Sequence, residues 1–157
     1  MLADLLQLGG RRLPVLRQTE AAECGLACLA MVAAFHGHAV DLNTLRRRHP
    51  VSLKGTTLKG LMQAADQMNL ACRPLRFELS QIRQLRLPAI VHWDMAHFVV
   101  LSRVEPRGIV VHDPGFGQRR LSLTEASRHL TGIALELSPA QSFVPKDERA
   151  RLPLSGF

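Results

Sequence analysis

The sequence has no tyrosine, one tryptophan and six phenylalanines, so aromatic side chains make up only 4% of its residues. Proteins that bind single-stranded nucleic acid usually stack bases on aromatic side chains beside a dense basic stripe. Here the formal net charge is +7, but a run of three consecutive basic residues occurs only at Arg46, Arg47 and Arg48. We therefore expect no nucleic-acid partner, because an acidic peptide or an anionic membrane surface suits the charge equally well.

Long apolar runs and cysteine pairs are also missing. The longest apolar run, residues 26–35, is about half the roughly 20 residues that a membrane-spanning helix needs. The amino terminus has no early positive cluster, so we expect no signal peptide. Three cysteines are too few for a disulfide framework and predict free thiols in a reducing, cytoplasmic compartment.

The 157 residues, 46% of them hydrophobic, suit one globular domain. Helical patterns fill the first half of the chain, and short β-branched runs split by turn residues fill the second. This order predicts an α+β fold, with a helical first half packed on an antiparallel β-sheet. We expect a flexible segment at 1–12, the domain at 13–138, and at 139–157 a linker towards an absent transmembrane domain.

Individual elements can be predicted from caps and breakers. Helices are expected at 24–36, after Asp41, and from Thr56 or Thr57 to near Asn69, with a short fourth at 80–86. Strands are expected at 88–93, 97–104, 108–112 and 132–137. A capping box, Ser122 to Glu125, predicts a small helix between the last two strands.

Cys24 stands at the predicted start of the buried helix, where aligned backbone N–H groups favour a thiolate. Gly25 beside it would leave room for a substrate backbone. A buried cysteine on an apolar helix is more often simply packed. We assign that packing role to Cys28 and to Cys72, and a nucleophilic role to Cys24.

A thiol nucleophile needs a base, and the base needs an orienting group. His97 opens an apolar strand, and the following strand ends at Asp113. If the two residues face each other across a hairpin, paired residue numbers sum to 210 and the turn centres on Glu105, inside the predicted turn 105–108. We therefore expect the imidazole and the carboxylate at the same end of adjacent antiparallel strands, within a residue or two of register. Asp113 could also serve only as a turn residue, since Asp-Pro-Gly is good turn chemistry. His112 alternates to the other face of its strand, and His92 lies one strand earlier.

Gln18 lies six residues before Cys24. Its amide could join the Cys24 backbone N–H in stabilising an oxyanion, although a loop glutamine is usually just solvated. His36 and His38 lack the partner spacing of a metal site, so we expect no metal.

Three blocks of sequence carry a resemblance to a known family. The run from Arg17 to Met31 resembles the signature of the bacteriocin-processing peptidases, cysteine-peptidase family thirty-nine. These are amino-terminal domains of peptidase-containing ABC exporters, with the colicin V exporter type most similar. The segments 92–101 and 111–117 resemble the second and third motifs of the family. The resemblance implies a papain-like fold with Cys24 as nucleophile, His97 as base, Asp113 as orienting group and Gln18 in the oxyanion hole.

The resemblance also implies a reaction. Such domains cut a leader peptide after a Gly-Gly pair while the exporter moves the mature peptide across the inner membrane. The implied partners are a precursor with a Gly-Gly leader and the transmembrane and ATPase domains of the same exporter, and the implied location is the cytoplasmic face of that membrane. The chain has no phosphate-binding glycine loop, so we expect no cofactor in this domain and ATP only in the absent nucleotide-binding domain.

Two alternatives remain open at this point. The domain could dock leader peptides without cutting them, although relatives that do not cleave lack the cysteine that is present here. It could also be a basic nucleic-acid-binding module, which the scarcity of aromatic residues disfavours.

Overall fold

The computed structural model describes residues 11–17, 21–50 and 55–149. Gln18 and residues 1–10 of the predicted flexible segment lie outside this part. The helices are the following: a 3-10 turn Ala21–Glu23, α1 Cys24–Phe35, α2 Leu42–Arg48, α3 Leu58–Gln67, a 3-10 helix Leu79–Gln84, and α4 Leu123–Ser127. Within the described ranges, none of them is long and apolar enough to cross a membrane.

The helix boundaries follow from local chemistry. Asp41 accepts a hydrogen bond from the Thr44 backbone N–H and so caps α2, as predicted. Thr57 caps α3 in the same way through Gly60. The capping box of Ser122 and Glu125 is present at α4. Gly37 follows α1 with a φ of 105°, a left-handed conformation that stops the helix.

Most of the strands form one six-stranded sheet of order β2-β7-β3-β4-β5-β6, in which every neighbouring pair is antiparallel. The strands are the following: β1 His38–Ala39, β2 Leu70–Arg76, β3 Ala89–Trp93, β4 His97–Glu105, β5 Gly108–Asp113, β6 Gly117–Ser122, β7 Leu130–Pro139 and β8 Lys146–Asp147. The predicted α+β class is thus confirmed. The expected strands are present with boundaries that differ by a few residues.

The sheet carries a hydrophobic core on each face. On one face α1 and α3 pack against side chains that include Phe98 and Val100. On the other face Trp93, Val99 and Leu101 pack with the 3-10 helix residue Ile82 and with α4. Because the inner strands are buried on both faces, they are continuous apolar runs rather than alternating ones. The helix α1 is buried along nearly its whole length, as its apolar circumference predicts.

Residues 140–149, which follow β7, form a short strap that contacts the helical layer. β8 pairs in parallel with β1, and the Lys146 N–H donates to the Gly37 carbonyl at 3.1 Å. Glu148 accepts hydrogen bonds from Nη1 and Nη2 of Arg48, at 3.1 and 2.6 Å. It lies 2.6 Å from Nε2 of the buried His38. Residues 140–149 of the predicted linker therefore contact the domain directly.

Two expectations about elements need correction. The predicted fourth helix is a 3-10 helix, Leu79–Gln84. β6 was not predicted as a strand, because Gln118, Arg119 and Arg120 give it a polar sequence. The strand lies at the edge of the sheet, where one partner and a partly solvated face are enough.

Candidate active site

Cys24 is the first residue of α1 and directly follows the 3-10 turn Ala21–Glu23, at the end of the helix where the helix dipole is positive. This is the position predicted from the sequence. The residue is 5% exposed. The side chain of His97, 24% exposed, forms the solvent-facing part of the site.

His97 and Asp113 meet at one end of the sheet. His97 Nε2 lies 2.7 Å from Asp113 Oδ1, a distance at which the ring N–H donates to the carboxylate. The same carboxylate oxygen accepts the backbone N–H of Gly115 at 2.9 Å. This double use of Oδ1 fixes the carboxylate, and the carboxylate in turn fixes the plane of the imidazole.

The electrostatics connect the three side chains. Hydrogen bonds to Asp113 and then to Cys24 raise the pKa of His97 to about 9, against the opposing effect of burial. Burial raises the pKa of Asp113, but its hydrogen bonds from His97 and Gly115 outweigh burial and leave that pKa below its ordinary value. At neutral pH the imidazole is therefore protonated, and Asp113 and Cys24 both stabilise its positive charge.

The register of the hairpin near the site differs by two from an exact pairing of His97 with Asp113, which is within the range predicted from the sequence. Val100 pairs with His112 and Glu105 with Gly108, so paired numbers sum to 212 near the site and 213 near the turn. A bulge between Leu101 and Arg103 accounts for the change along the strands. The turn consists of Pro106 and Arg107, and His97 reaches Asp113 diagonally.

The loop after Asp113 forms one rim of the site. A Cβ on Gly115 would lie 3.7 Å from Cε1 of His97, so this loop packs directly on the imidazole. Arg17 donates to the Gly115 carbonyl at 3.3 Å. Arg119 lies 3.8 Å from Asp113 Oδ2 and stacks on the exposed ring of Phe116. Two cationic side chains thus border the site on this side.

A cavity of about 310 Å³ lies beside the turn that precedes His97. We call it the Met95 cavity; its walls are Thr56, Thr57, Leu58, His92, Met95, Ala96, Phe98 and Ile133. Met95 belongs to the turn between β3 and β4, and its side chain is 79% exposed. Asp94 and Met95 both have positive φ, at 51° and 67°. Non-glycine residues adopt this conformation only where the surroundings hold it.

The surroundings of this turn come from β7 and from the segment before it. Asp94 donates its backbone N–H to the His129 carbonyl at 2.9 Å. Its carboxylate lies 2.7 Å from His129 Nδ1. The His129 ring stacks on Trp93 with centroids 4.8 Å apart. Because Trp93 pairs with His97 across the hairpin, these contacts also support the strand end that carries the imidazole.

From the sequence we expected room for a substrate backbone beside Gly25. In the structure this space is not free. A Cβ at Gly25 would lie 3.2 Å from Cβ of Thr56, so Thr56 already fills that side. The glycine is needed for this close approach between α1 and the segment before α3. The Thr56 hydroxyl is buried and has no hydrogen-bond partner within the described residues. Thr56 thereby becomes a wall between Gly25 and the Met95 cavity.

The remaining candidates have other surroundings. Cys28 is fully buried, and burial raises its pKa well above the ordinary value. Burial also raises the pKa of Cys72, to about 11. His112 points away from the site to the Pro14 carbonyl, at 2.8 Å, and His92 lies 2.7 Å from the Thr131 hydroxyl. All three cysteines are free.

Gln18 lies outside the described residues, so its predicted place in the oxyanion hole stays a prediction. In the part of the chain that the structure describes, no three His, Cys, Asp or Glu side chains are grouped as metal ligands would be. Sequence reasoning missed the Asp94–His129 contact, the Thr56 wall and the cationic rim. None of these has a signal in the spacing of residues along the chain, because each joins segments far apart in sequence.

Comparison with known proteins gives consistent matches. A model of the peptidase C39 family matches residues 12–142. The colicin V secretion/processing ATP-binding protein CvaB of Escherichia coli is 46% identical over 144 residues, which is 92% of this chain and 21% of the relative. The chain thus spans about a fifth of the length of the first curated relatives it matches.

Two solved structures share the fold. A double glycine motif protease from an AMS/PCAT transporter, solved in complex with the leader peptide, has a TM-score of 0.78 and 34% identity. That match covers 83% of this chain and 95% of the other. The peptidase domain of Streptococcus ComA, a bifunctional ABC transporter involved in quorum sensing, has a TM-score of 0.75 and 26% identity. It covers 82% of this chain and 99% of the other. The papain-like peptidase fold expected from the sequence is thereby confirmed.

Proposed function

The chain belongs to the peptidase C39 family, and from that premise we propose that it is a cysteine endopeptidase that removes double-glycine leaders from bacteriocin- or microcin-type precursors. The observation that carries the proposal is the hydrogen-bonded row of Cys24, His97 and Asp113 at a helix amino terminus. Each member has the chemical setting that its role requires: a helix end for the thiolate, a carboxylate for the imidazole, and two donors for the carboxylate.

The reaction follows from this arrangement. The Cys24 thiolate attacks the carbonyl carbon of the second glycine, and the resulting oxyanion is stabilised by the Cys24 backbone N–H and the positive end of the α1 dipole. The His97 imidazolium then donates its proton to the leaving amine, so the peptide bond breaks and an acyl-enzyme remains. Water, deprotonated by the neutral imidazole, hydrolyses the acyl-enzyme and restores the thiol. Gln18 would be a second donor to the oxyanion.

The surroundings of the triad support a peptide substrate with small residues at the cut. Gly115 and the loop around it pack against the imidazole on one side, and the Met95 turn stands on the other. Glycines before the scissile bond pass through such a constriction without a side chain to place. The Met95 cavity is of a size to receive an apolar side chain of the leader, and Arg17 and Arg119 would attract acidic ones.

We further propose that the chain acts as part of an exporter at the cytoplasmic face of the inner membrane. The length of the relatives supports this, since the matched region is about a fifth of proteins named for both secretion and processing. The partners would be the transmembrane and ATPase domains of the same protein. ATP would be bound there and not by this domain.

The decisive experiment incubates the reduced chain with a synthetic precursor that carries a Gly-Gly leader, and follows products by mass spectrometry. We expect one cut after the second glycine and its loss in Cys24→Ala. The matched control is Cys72→Ala, which removes a thiol outside the site and should leave the cut unchanged. Binding of an uncut peptide, equal in wild type and Cys24→Ala, would instead identify a docking domain without peptidase activity.

A further inference from the structure

The backbone of the turn between β3 and β4 is strained. Asp94 and Met95 have φ of 51° and 67°, in the left-handed region, which aspartate tolerates better than methionine does. The turn is also tight, because the Ala96 N–H donates to the Asp94 carbonyl at 2.8 Å. A three-residue turn whose central residue has positive φ is rare and strained. Such a turn persists only where neighbouring parts of the fold hold it.

The contacts that hold the turn come from His129, which lies between α4 and β7. Its N–H donates to the Ala126 carbonyl of α4 at 3.0 Å, so its backbone is fixed. Its own carbonyl accepts the Asp94 N–H at 2.9 Å. Its Nδ1 lies 2.7 Å from Asp94 Oδ1, a distance at which the ring N–H donates to the carboxylate. Asp94 is thus held through both its backbone and its side chain.

The imidazole of His129 is itself fixed by the hydrophobic core. It lies parallel to the Trp93 ring, with an interplanar angle of 2° and centroids 4.8 Å apart. Trp93 is 1% exposed and packs within the core on that face of the sheet. Because one face of the imidazole rests on a buried ring, the core and not the solvent determines its orientation towards Asp94.

The turn connects these contacts to the candidate active site. It joins Trp93 to His97, which pair with each other across the hairpin. Met95, at its centre, is one wall of the Met95 cavity. The Met95 side chain is 79% exposed, so burial does not hold it in place. Its position beside the cavity therefore depends on the backbone conformation that Asp94 and His129 maintain.

We infer that Asp94 and His129 are positioning residues for leader recognition: their hydrogen bond keeps the turn left-handed, and so keeps Met95 beside the cavity before a peptide binds. The inference rests on the proposed function, in which that cavity receives a side chain of the leader. A contact surface that is ordered in advance lowers the entropic cost of binding. Loss of the hydrogen bond should therefore weaken binding of the leader and leave the chemical step nearly unchanged.

The test measures binding of a fluorescein-labelled synthetic Gly-Gly leader peptide by fluorescence anisotropy, in the Cys24→Ala chain so that no cleavage intervenes. His129→Phe keeps a ring to stack on Trp93 and removes the donor to Asp94, so we expect Kd to rise about fivefold. Glu105→Gln is the matched control, because it breaks a partly exposed ion pair at the opposite end of β4 and should leave Kd unchanged. Equal Kd values in the two variants would overturn the inference.

Asp94→Gly separates the left-handed backbone from the contact that holds it. Glycine adopts positive φ without strain, so His129→Phe/Asp94→Gly should return Kd to within about twofold of that of the Cys24→Ala chain. Asp94→Ala keeps a Cβ and loses the carboxylate, so it should raise Kd about as much as His129→Phe, and it replaces His129→Phe if that variant does not fold. A Kd for His129→Phe/Asp94→Gly as high as for His129→Phe alone would contradict the inference.

Met95→Ala shows whether the pair acts through Met95. If it does, His129→Phe should change Kd by no more than about twofold in a chain that already carries Met95→Ala, because the contact that the pair positions is gone. A full fivefold rise in that chain would show that His129 acts by another route, and the inference would fail.

Cleavage by the chain that retains Cys24 separates this inference from the proposed function. There His129→Phe should raise KM for a Gly-Gly precursor by the same factor as Kd and leave kcat within about twofold. A chain that shows these differences in Kd but cuts no precursor would refute the proposed peptidase and leave the positioning role intact. A lower kcat with unchanged Kd, or no binding of the peptide by the Cys24→Ala chain, would refute the positioning role.

Discussion

At the residue scale, the pKa of His97 is determined by two neighbouring side chains that both stabilise the protonated ring. Asp113 and Cys24 both favour the protonated ring, and together they raise its pKa to about 9. The free imidazole would titrate near 6.5. The cationic ring therefore persists through neutral pH. A cationic imidazole beside the sulfur is the partner that a cysteine nucleophile needs at neutral pH.

Asp113→Asn tests this arrangement through the pH dependence of cleavage. The amide removes the first of the two partners that raise the pKa of His97, so the imidazolium should lose its proton at lower pH. We expect the alkaline limb of kcat/KM to move from near pH 9 towards acid by about one unit or more, with a loss of about 10²–10⁴-fold in rate at pH 8. An unchanged alkaline limb, measured on a variant of wild-type Tm, would contradict the assignment of Asp113.

The positions of Cys24, His97 and Asp113 in the fold were predictable from the sequence, but their surroundings were not. Cys24, His97 and Asp113 are marked by a helix start, a strand start and a strand end, which are local signals. Arg46 looks like one of three equivalent surface cations in the sequence. Arg46 and Arg47 have different surroundings only because α2 packs beside the start of α1. That contact depends on the tertiary fold.

The turn between β3 and β4 illustrates the scale of the element. Its two left-handed residues are held by Asp94 and His129, and it presents Met95 to solvent beside the imidazole. An exposed apolar side chain on a constrained turn contributes little to folding, and its contact surface is available for a ligand. We therefore assign Met95 to recognition of the leader.

Met95→Ala should raise KM for a Gly-Gly precursor by about fivefold to tenfold, because the contact of one apolar side chain contributes about 1–1.5 kcal/mol when it is partly buried on binding. kcat and Tm should stay near wild type, since the side chain is exposed in the free chain. Val144→Ala is the matched control, because Val144 is also largely exposed but belongs to the strap. Equal KM values in the two variants would exclude Met95 from recognition.

Elements with strong local patterns were predictable, and those with weak ones were not. α1 through α3 have caps or stops in sequence, and β3 through β5 are apolar runs between turn residues. β6 is polar because it is an edge strand, so its identity depends on β5 being in place. The hairpin register differs by two from the exact pairing near the site, because a bulge and a two-residue turn are not encoded in apolar spacing.

At the scale of the whole molecule, the strap carries the chain back across the helical layer after the sheet is complete. Hydrogen bonds from Arg48 and His38 lower the pKa of Glu148 to about 2, from an ordinary value of 4.5. The folded-state pKa is the lower one, so the strap contributes stability above about pH 4.5 and loses that contribution as the pH falls towards 2.

Glu148→Gln should lower the free energy of unfolding by about 1 kcal/mol at pH 7, a modest value because solvent screens a partly exposed carboxylate. The difference between wild type and variant should vanish as the pH approaches 2, in urea titrations at several pH values. Asp147→Asn is the control, because that carboxylate pairs with Arg149 two residues away. A difference that does not depend on pH would mean that the strap is held by its backbone and not by Glu148.

The proposed nucleophile and its proposed base belong to different layers of the molecule: Cys24 lies in the helical layer, and His97 and Asp113 lie in the sheet. The apolar packing between α1 and the sheet therefore also sets the distance between the Cys24 sulfur and the His97 imidazole. A slip of about one ångström between the layers would disable bond cleavage while every helix and strand stayed intact. Peptidase activity would therefore report how closely the helical layer packs against the sheet.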